Sequence, residues 1–177
     1  MITVVLFGED DGLKIGGQLR SALSKNGGVV HIYDGGLFSH GCDRFLLYET
    51  VVPPVLETEN GVIIFKNRLP DCSDFSIPTS FTAVVGSENS AALRLLKNSG
   101  INTISCGMSA CDTLSLSSID EHSGAVSLQR TVKTVAGQEL LPREIPVRLV
   151  EPLDEYAILA ACAVVLLYSE ETDLIQF

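Results

Sequence analysis

The chain has 177 residues, 46% of them apolar, with a mean hydropathy of +0.30, no tryptophan and a formal net charge of −10. A chain of this length and composition fits one domain and buries about 70% of the surface that its unfolded form exposes. Its 12 Lys and Arg residues form no cluster, which argues against nucleic acid and anionic membranes as partners.

Ile2 to Phe7 is an unbroken apolar, β-branched run, the pattern of a strand buried on both faces in a parallel sheet. It breaks at Gly8, and a loop holding Glu9, Asp10, Asp11, Gly12 and Lys14 follows. Leu13, Ile15, Leu19, Ala22 and Leu23 then recur at near-helical spacing up to a stop at Asn26, Gly27 and Gly28. Val29 to Tyr33 reads as a second strand, ended by Asp34, Gly35 and Gly36. This is strand, loop, helix, strand: the opening of a doubly wound α/β unit. Gly36 to His40 reads as a loop. Phe45 to Glu49 is a third strand, closed off by Pro53 and Pro54. Gly61 to Lys66 is a fourth, and Asn67 to Pro78 is irregular.

Phe81 to Gly86 reads as a fifth strand, Ser87 to Asn98 as a helix, and Ile101 to Cys106 as a sixth strand, which extends the parallel frame. The pattern changes after residue 110. Asp112 to Ile119, Val126 to Val132 and Ile145 to Val150 are short half-buried strands. Turn chemistry at Glu121 to Gly124 and Gly137 to Glu144 separates them, which predicts antiparallel hairpins on one edge of the main sheet. Glu155 to Leu167 is a final, buried helix. The fold class expected is α/β: a mainly parallel sheet flanked by helices, P-loop-like, with an antiparallel β region over 111–150 appended. Residues 1–177 are expected to form one domain.

The five cysteines are an odd number without a CxxC pair, and they read as reduced thiols. His40 and Cys42 come closest to a zinc pair, and their spacing matches no zinc pattern. No basic leader precedes the first strand, and the run Ala157 to Tyr168 is too short to cross a bilayer. A cytoplasmic location is therefore expected.

The order of elements resembles the central, ATP-binding domain of the Mur ligases, which form amide bonds in cell-wall precursor synthesis. The likeness is clearest in NSAALRLLKNSGINTISCG and in the Ala-rich helix. Ile104, Cys106 and Gly107 match the family's strand end, and Leu159, Ala160 and Ala161 match its helix. LLYET, from Leu46, is similar to the strand ending in a magnesium-binding Glu, which places that role on Glu49. GVIIFKNRLPDCSD is similar to a strand followed by Asn-x-x-x-Asp-His-x-Asp. Asn67, Asp71 and Asp74 match, and Cys72 stands in place of the His. The resemblance implies a nucleotide with magnesium as cofactor, held by Gly8, Gly12, Lys14 and Asn67, with Glu49 on the metal.

The departures point the other way. In the family's phosphate loop, Gly and Lys are adjacent and a hydroxyl residue follows. Here Gly12 and Lys14 are separated, and Ile15 stands in the hydroxyl position. The family's adenine-contacting Asn falls on Ala157. The family's flanking N- and C-terminal domains have no counterpart in these residues. A phosphate loop works through bare backbone amides and a helix N-terminus. Glu9, Asp10 and Asp11 oppose it, since one like-charge contact near a surface at ~4 Å is worth on the order of 4 kcal/mol.

Each residue also has a plainer reading. Lys14 reaches a phosphate or is simply solvated. The three acids hold a divalent cation through oxygen or only favour the helix terminus. Glu49 faces the ligand crevice of the sheet or caps a loop. Asp71 and Asp74 stabilise the turn at Pro70 rather than act as acid and base. The expectation is a non-catalytic Mur-ligase-like domain that binds no cofactor and acts in binding or regulation linked to cell-wall precursor metabolism, with a protein partner or self-association. The alternative is a nucleotide- or small-ligand-binding enzyme of altered chemistry.

Overall fold

The computed structural model describes residues 1–72, 75–168 and 174–177. Asp74 therefore lies outside the described residues. Strand β1 (Ile2–Phe7) leads into helix α1 (Lys14–Lys25) and strand β2 (Val29–Tyr33). Strands β3 (Gly36–His40), β4 (Phe45–Thr50), β5 (Gly61–Phe65) and β6 (Phe81–Gly86) follow. Helix α2 (Ser90–Leu96) then precedes strand β7 (Asn102–Gly107). The rest is β8 (Leu114–Ile119), β9 (Ser123–Leu128), β10 (Val132–Lys133), β11 (Glu139–Leu140), β12 (Arg143–Arg148), α3 (Glu155–Tyr168) and β13 (Ile175–Gln176).

Eleven strands form one sheet in the order β13-β12-β9-β8-β7-β6-β5-β1-β4-β2-β3. From β2 through β4, β1, β5 and β6 to β7 every pairing is parallel. The apolar runs explain this frame: all five residues of β5 are buried, so both sheet faces must be covered. The period-2 alternation sorts the side chains. Val4, Leu6, Val62, Ile64 and Val84 face the layer holding α1 and α3. Val5, Phe7, Ile63, Phe65 and Val85 face α2.

Helix α3 is buried along its length from Tyr156 to Leu167. Its alanines let it lie close to α1 and the sheet, and its buried residues from Tyr156 to Leu167 all join the core on that side. The Tyr156 hydroxyl donates to the Phe65 carbonyl (2.6 Å), which ties the helix start to the end of β5.

Five sequence expectations change in detail. Gly36 to His40 is a strand, not a loop. Tyr33 pairs with Gly36 across a two-residue Asp34–Gly35 turn with Gly35 at φ 72°, a left-handed backbone that glycine adopts without strain. The Gly137 to Glu144 separator contains β11, which pairs with β10 as a separate ribbon. Val126 to Val132 divides between β9 and β10, while Ser123 and Gly124 belong to β9 rather than to the turn. The helix placed over Ser87 to Asn98 is only Ser90–Leu96. Asn89 caps it by accepting from the Ala92 amide (3.0 Å), and Asn98 at φ 71° has already left it. Strand β13, parallel to β12, was not anticipated. The hairpin expectation itself holds: β8, β9 and β12 pair antiparallel beside β7. No described helix is long and apolar enough to cross a membrane.

Candidate functional site

The ends of β1, β4 and β5 open onto one crevice, where sheets of this type bind ligands. The chain turns out of β1 at Gly8. A Cβ there would stand 2.4 Å from Lys66 Cβ, so only glycine lets the loop leave the strand against β5. The loop then folds on itself. The Gly12 amide donates to Asp10 Oδ1 (2.9 Å), and the Ile15 amide donates to Asp11 Oδ2 (3.1 Å). The loop's own carboxylates thus engage two backbone amides around the start of α1. Ile15 is buried in the core and presents no hydroxyl.

The centre of the crevice is Lys66. Its backbone is fixed on both sides: its amide donates to the Phe7 carbonyl (2.8 Å), and its carbonyl accepts from Asn89 Nδ2 (2.7 Å). Its ammonium donates to Glu49 Oε1 (2.6 Å), Asp11 Oδ1 (2.9 Å) and the Glu9 carbonyl (3.3 Å). The Lys66 side chain is only 3% exposed. Glu49 is buried too, and its other oxygen, Oε2, lies 3.0 Å from His31 Nε2. Helix α1 reaches this carboxylate through Gly16, where a Cβ would fall 2.0 Å from Glu49 Oε2. Burial alone would push the Glu49 carboxyl up, but hydrogen bonds from His31 and Lys66 hold it below its ordinary range. Burial would likewise lower Lys66, yet its bonds to Glu49 and Asp11 hold it above its ordinary value. Asp11, Lys66, Glu49 and His31 thus form one continuous polar chain across β1, β5, β4 and β2.

The residues singled out in the sequence are placed as follows. Glu49 belongs to this cluster, Gly8 packs against Lys66, and Gly12 is exposed on the loop. Lys14 is at the rim, 63% exposed, and pairs with Asp154 (3.0 Å). Asp154 also accepts from the Tyr156 amide (3.1 Å) at the start of α3. Asn67 is exposed and lines two adjoining cavities. One, of about 270 Å³, contains Asp10, Lys14 and Lys66. The other, of about 610 Å³, lies between β6, β7 and α3 and is lined by Ser87, Asn89, Gly107 and Tyr156. Asp71 is elsewhere, in a cleft against α2 with Cys72 and Arg94. Ala157 is buried.

Of the cysteines, Cys106 and Cys162 are buried, and burial pushes both thiols up. Burial and Asp71 also raise Cys72, the opposite of nucleophile activation. Among the described residues no group of three His, Cys, Asp or Glu side chains is arranged to hold a metal.

Sequence reasoning missed Lys66 and His31. Lys66 carried a readable signal, a single cation ending a wholly apolar strand that points into the crevice. His31 carried a weaker one, a lone polar residue within an otherwise apolar run.

No protein-family model and no curated protein matches the chain. Solved structures do match. A murein peptide ligase from Psychrobacter arcticus is 10% identical with a TM-score of 0.60, over 97% of this chain and 45% of its own. The chain has a Mur ligase-like fold. The UDP-N-acetylmuramate:L-alanyl-gamma-D-glutamyl-meso-diaminopimelate ligase of Neisseria meningitides gives 10% identity and a TM-score of 0.56, over 93% of this chain and 60% of its own. MurF from Acinetobacter baumannii gives 12% and 0.53, over 96% and 44%. The Mur ligase-like fold of this chain therefore spans about half the length of those ligases.

Proposed function

We propose that this chain is a non-catalytic Mur-ligase-like domain whose phosphate loop has become structural, and that it acts by binding beside cell-wall precursor ligation. The observation that carries this reading is the loop itself. The Gly12 and Ile15 amides, which would cradle a phosphate, donate to Asp10 and Asp11. A triphosphate would have to displace both carboxylates and then meet their charge at close range. Lys14 is drawn to Asp154, and Ile15 offers no oxygen to a metal. Binding here means a protein partner or a second copy. The exposed valines after β4, with Val52 65% and Val55 86% exposed, support such a surface.

Phosphate release from ATP with magnesium, measured at micromolar protein, tests the catalytic half of this reading. The expected rate equals the protein-free blank. Turnover above the blank that disappears in Lys14→Ala would overturn it.

A second reading, a ligand-binding enzyme of altered chemistry, draws on the cavity of about 610 Å³. That volume is within the roughly 300–1,000 Å³ of small-molecule pockets. Asn67, Asn89 and Tyr156 supply polar and aromatic lining without phosphate chemistry. A small-molecule screen by melting temperature, with hits lost in Asn67→Ala, would favour it.

A further inference from the structure

The magnesium ion that the resemblance to the Mur ligases implies does not fit the crevice this chain builds. Both oxygens of the implied ligand, Glu49, are engaged, Oε2 by His31 and Oε1 by Lys66. We propose that the Lys66 ammonium is a tethered cation occupying the place of a divalent ion. On this proposal Asp11 Oδ1, Glu49 Oε1 and the Glu9 carbonyl are a cation site closed by the chain's own side chain.

The geometry carries the argument. An ammonium has three donors, and Lys66 spends them on three oxygens at 2.6, 2.9 and 3.3 Å. All three acceptors are hard oxygens, the donor type chosen by magnesium, manganese and calcium. His31 holds Glu49 Oε2 and so turns Oε1 toward the ammonium. Gly16 leaves the space in which that carboxylate sits. The side chain is 3% exposed, so water does not compete for the three bonds. One positive charge faces two carboxylates, leaving the charge deficit that a divalent ion would remove. A free ion and the ammonium cannot share the position, because both need the same lone pairs. The crevice thereby keeps its counter-charge whatever the ion concentration around it. This inference deepens the proposed loss of nucleotide chemistry and rests on that reading, but it concerns the cation alone.

The test compares wild type, Lys66→Ala and Lys66→Met without nucleotide, using manganese, calcium and a monovalent salt at matched ionic strength. Wild type is expected to show no divalent-specific rise in melting temperature and no Glu49-dependent manganese signal by electron paramagnetic resonance. Lys66→Ala is expected to melt low in chelator. It should recover by about 3–6 °C when manganese or calcium reaches roughly ten times its Kd. Glu49→Gln in the Lys66→Ala background should remove the recovery.

Manganese binding by wild type that is lost in Glu49→Gln would overturn the proposal. So would Lys66→Ala and Lys66→Met proteins that are folded yet treat divalent and monovalent salts alike. If both variants stay unfolded even in millimolar divalent ion, the vacated oxygens do not hold a cation and the proposal again fails. Magnesium-ATP binding by wild type would instead overturn the functional reading, which keeps the two failures separate.

Discussion

The Lys66 ammonium is the buried positive charge of the crevice, bonded to Glu49 and Asp11. Removing its charge leaves Glu49 buried with only His31 beside it and frees Asp11 Oδ1. Breaking a buried ion pair from one side costs about 3–5 kcal/mol. Lys66→Met keeps most of the stem's packing and should lose that much in urea unfolding at pH 7. Adding Glu49→Gln should recover part of the loss, because the orphaned charge goes with it. A loss under 1 kcal/mol, within the range of a surface pair, would show the contact to be weak.

The same pair sets a pH signature. Glu49 titrates below its ordinary 4.5 in the folded state, so its stabilisation is present above 4.5 and is lost as pH falls through the lowered value. Lys66 titrates above its ordinary 10.5, so its stabilisation is present below 10.5 and is lost as pH rises through the raised value. Exposed Asp120 and Glu144 are also lowered and add to the acid limb, and buried Tyr156 adds to the alkaline one. The diagnostic quantity is therefore a difference. Stability of wild type minus Lys66→Met should be largest near neutral pH and shrink toward both acid and alkali. A difference independent of pH would contradict the ion-pair account.

At the scale of elements, helix α1 offers a paired test in two adjacent glycines. Gly17 has nothing within 4 Å of an added Cβ, so Gly17→Ala should stabilise by about 0.5–1 kcal/mol through helix propensity. Gly16→Ala gains the same propensity but drives a methyl into Glu49 Oε2, 2.0 Å away. It should therefore destabilise, as measured by urea unfolding. If both variants shift stability equally, Glu49 does not hold α1 in place.

Most elements were legible because their signals are local. The apolar run of β1 and the stop at Asn26 to Gly28 fix strand and helix within a few residues. The misses have physical causes. The Asp34–Gly35 hairpin was readable turn chemistry, but the strand it introduces, GLFSH, has a mixed pattern because it lies at the sheet edge. β13 is two residues long and exists only by pairing with β12, a contact that no local pattern encodes.

Across the whole molecule, the parallel frame and the antiparallel addition were legible because doubly buried strands and turn-separated half-buried strands have different compositions. Glu49 stood out in the sequence because it lies near the end of an apolar strand. What it binds did not. The partners Lys66 and His31 lie 17 and 18 residues from Glu49 in sequence and meet it only through the sheet order. Acids in a loop also look alike on paper whether they await a cation or, like Asp10 and Asp11, already accept from amides and a lysine. Folding decides between these, and here the loop is filled from within.

The melting temperature of wild type with and without magnesium-ATP tests that conclusion most directly. A nucleotide held at about 100 times its Kd would add about 2.7 kcal/mol. For a chain of this size that is a rise of roughly 5–11 °C. The closed loop is expected to give no shift beyond that of magnesium and an equal concentration of pyrophosphate-free salt. A rise of several degrees that saturates with ATP and disappears in Lys14→Ala would show that the loop opens for nucleotide and would contradict the account.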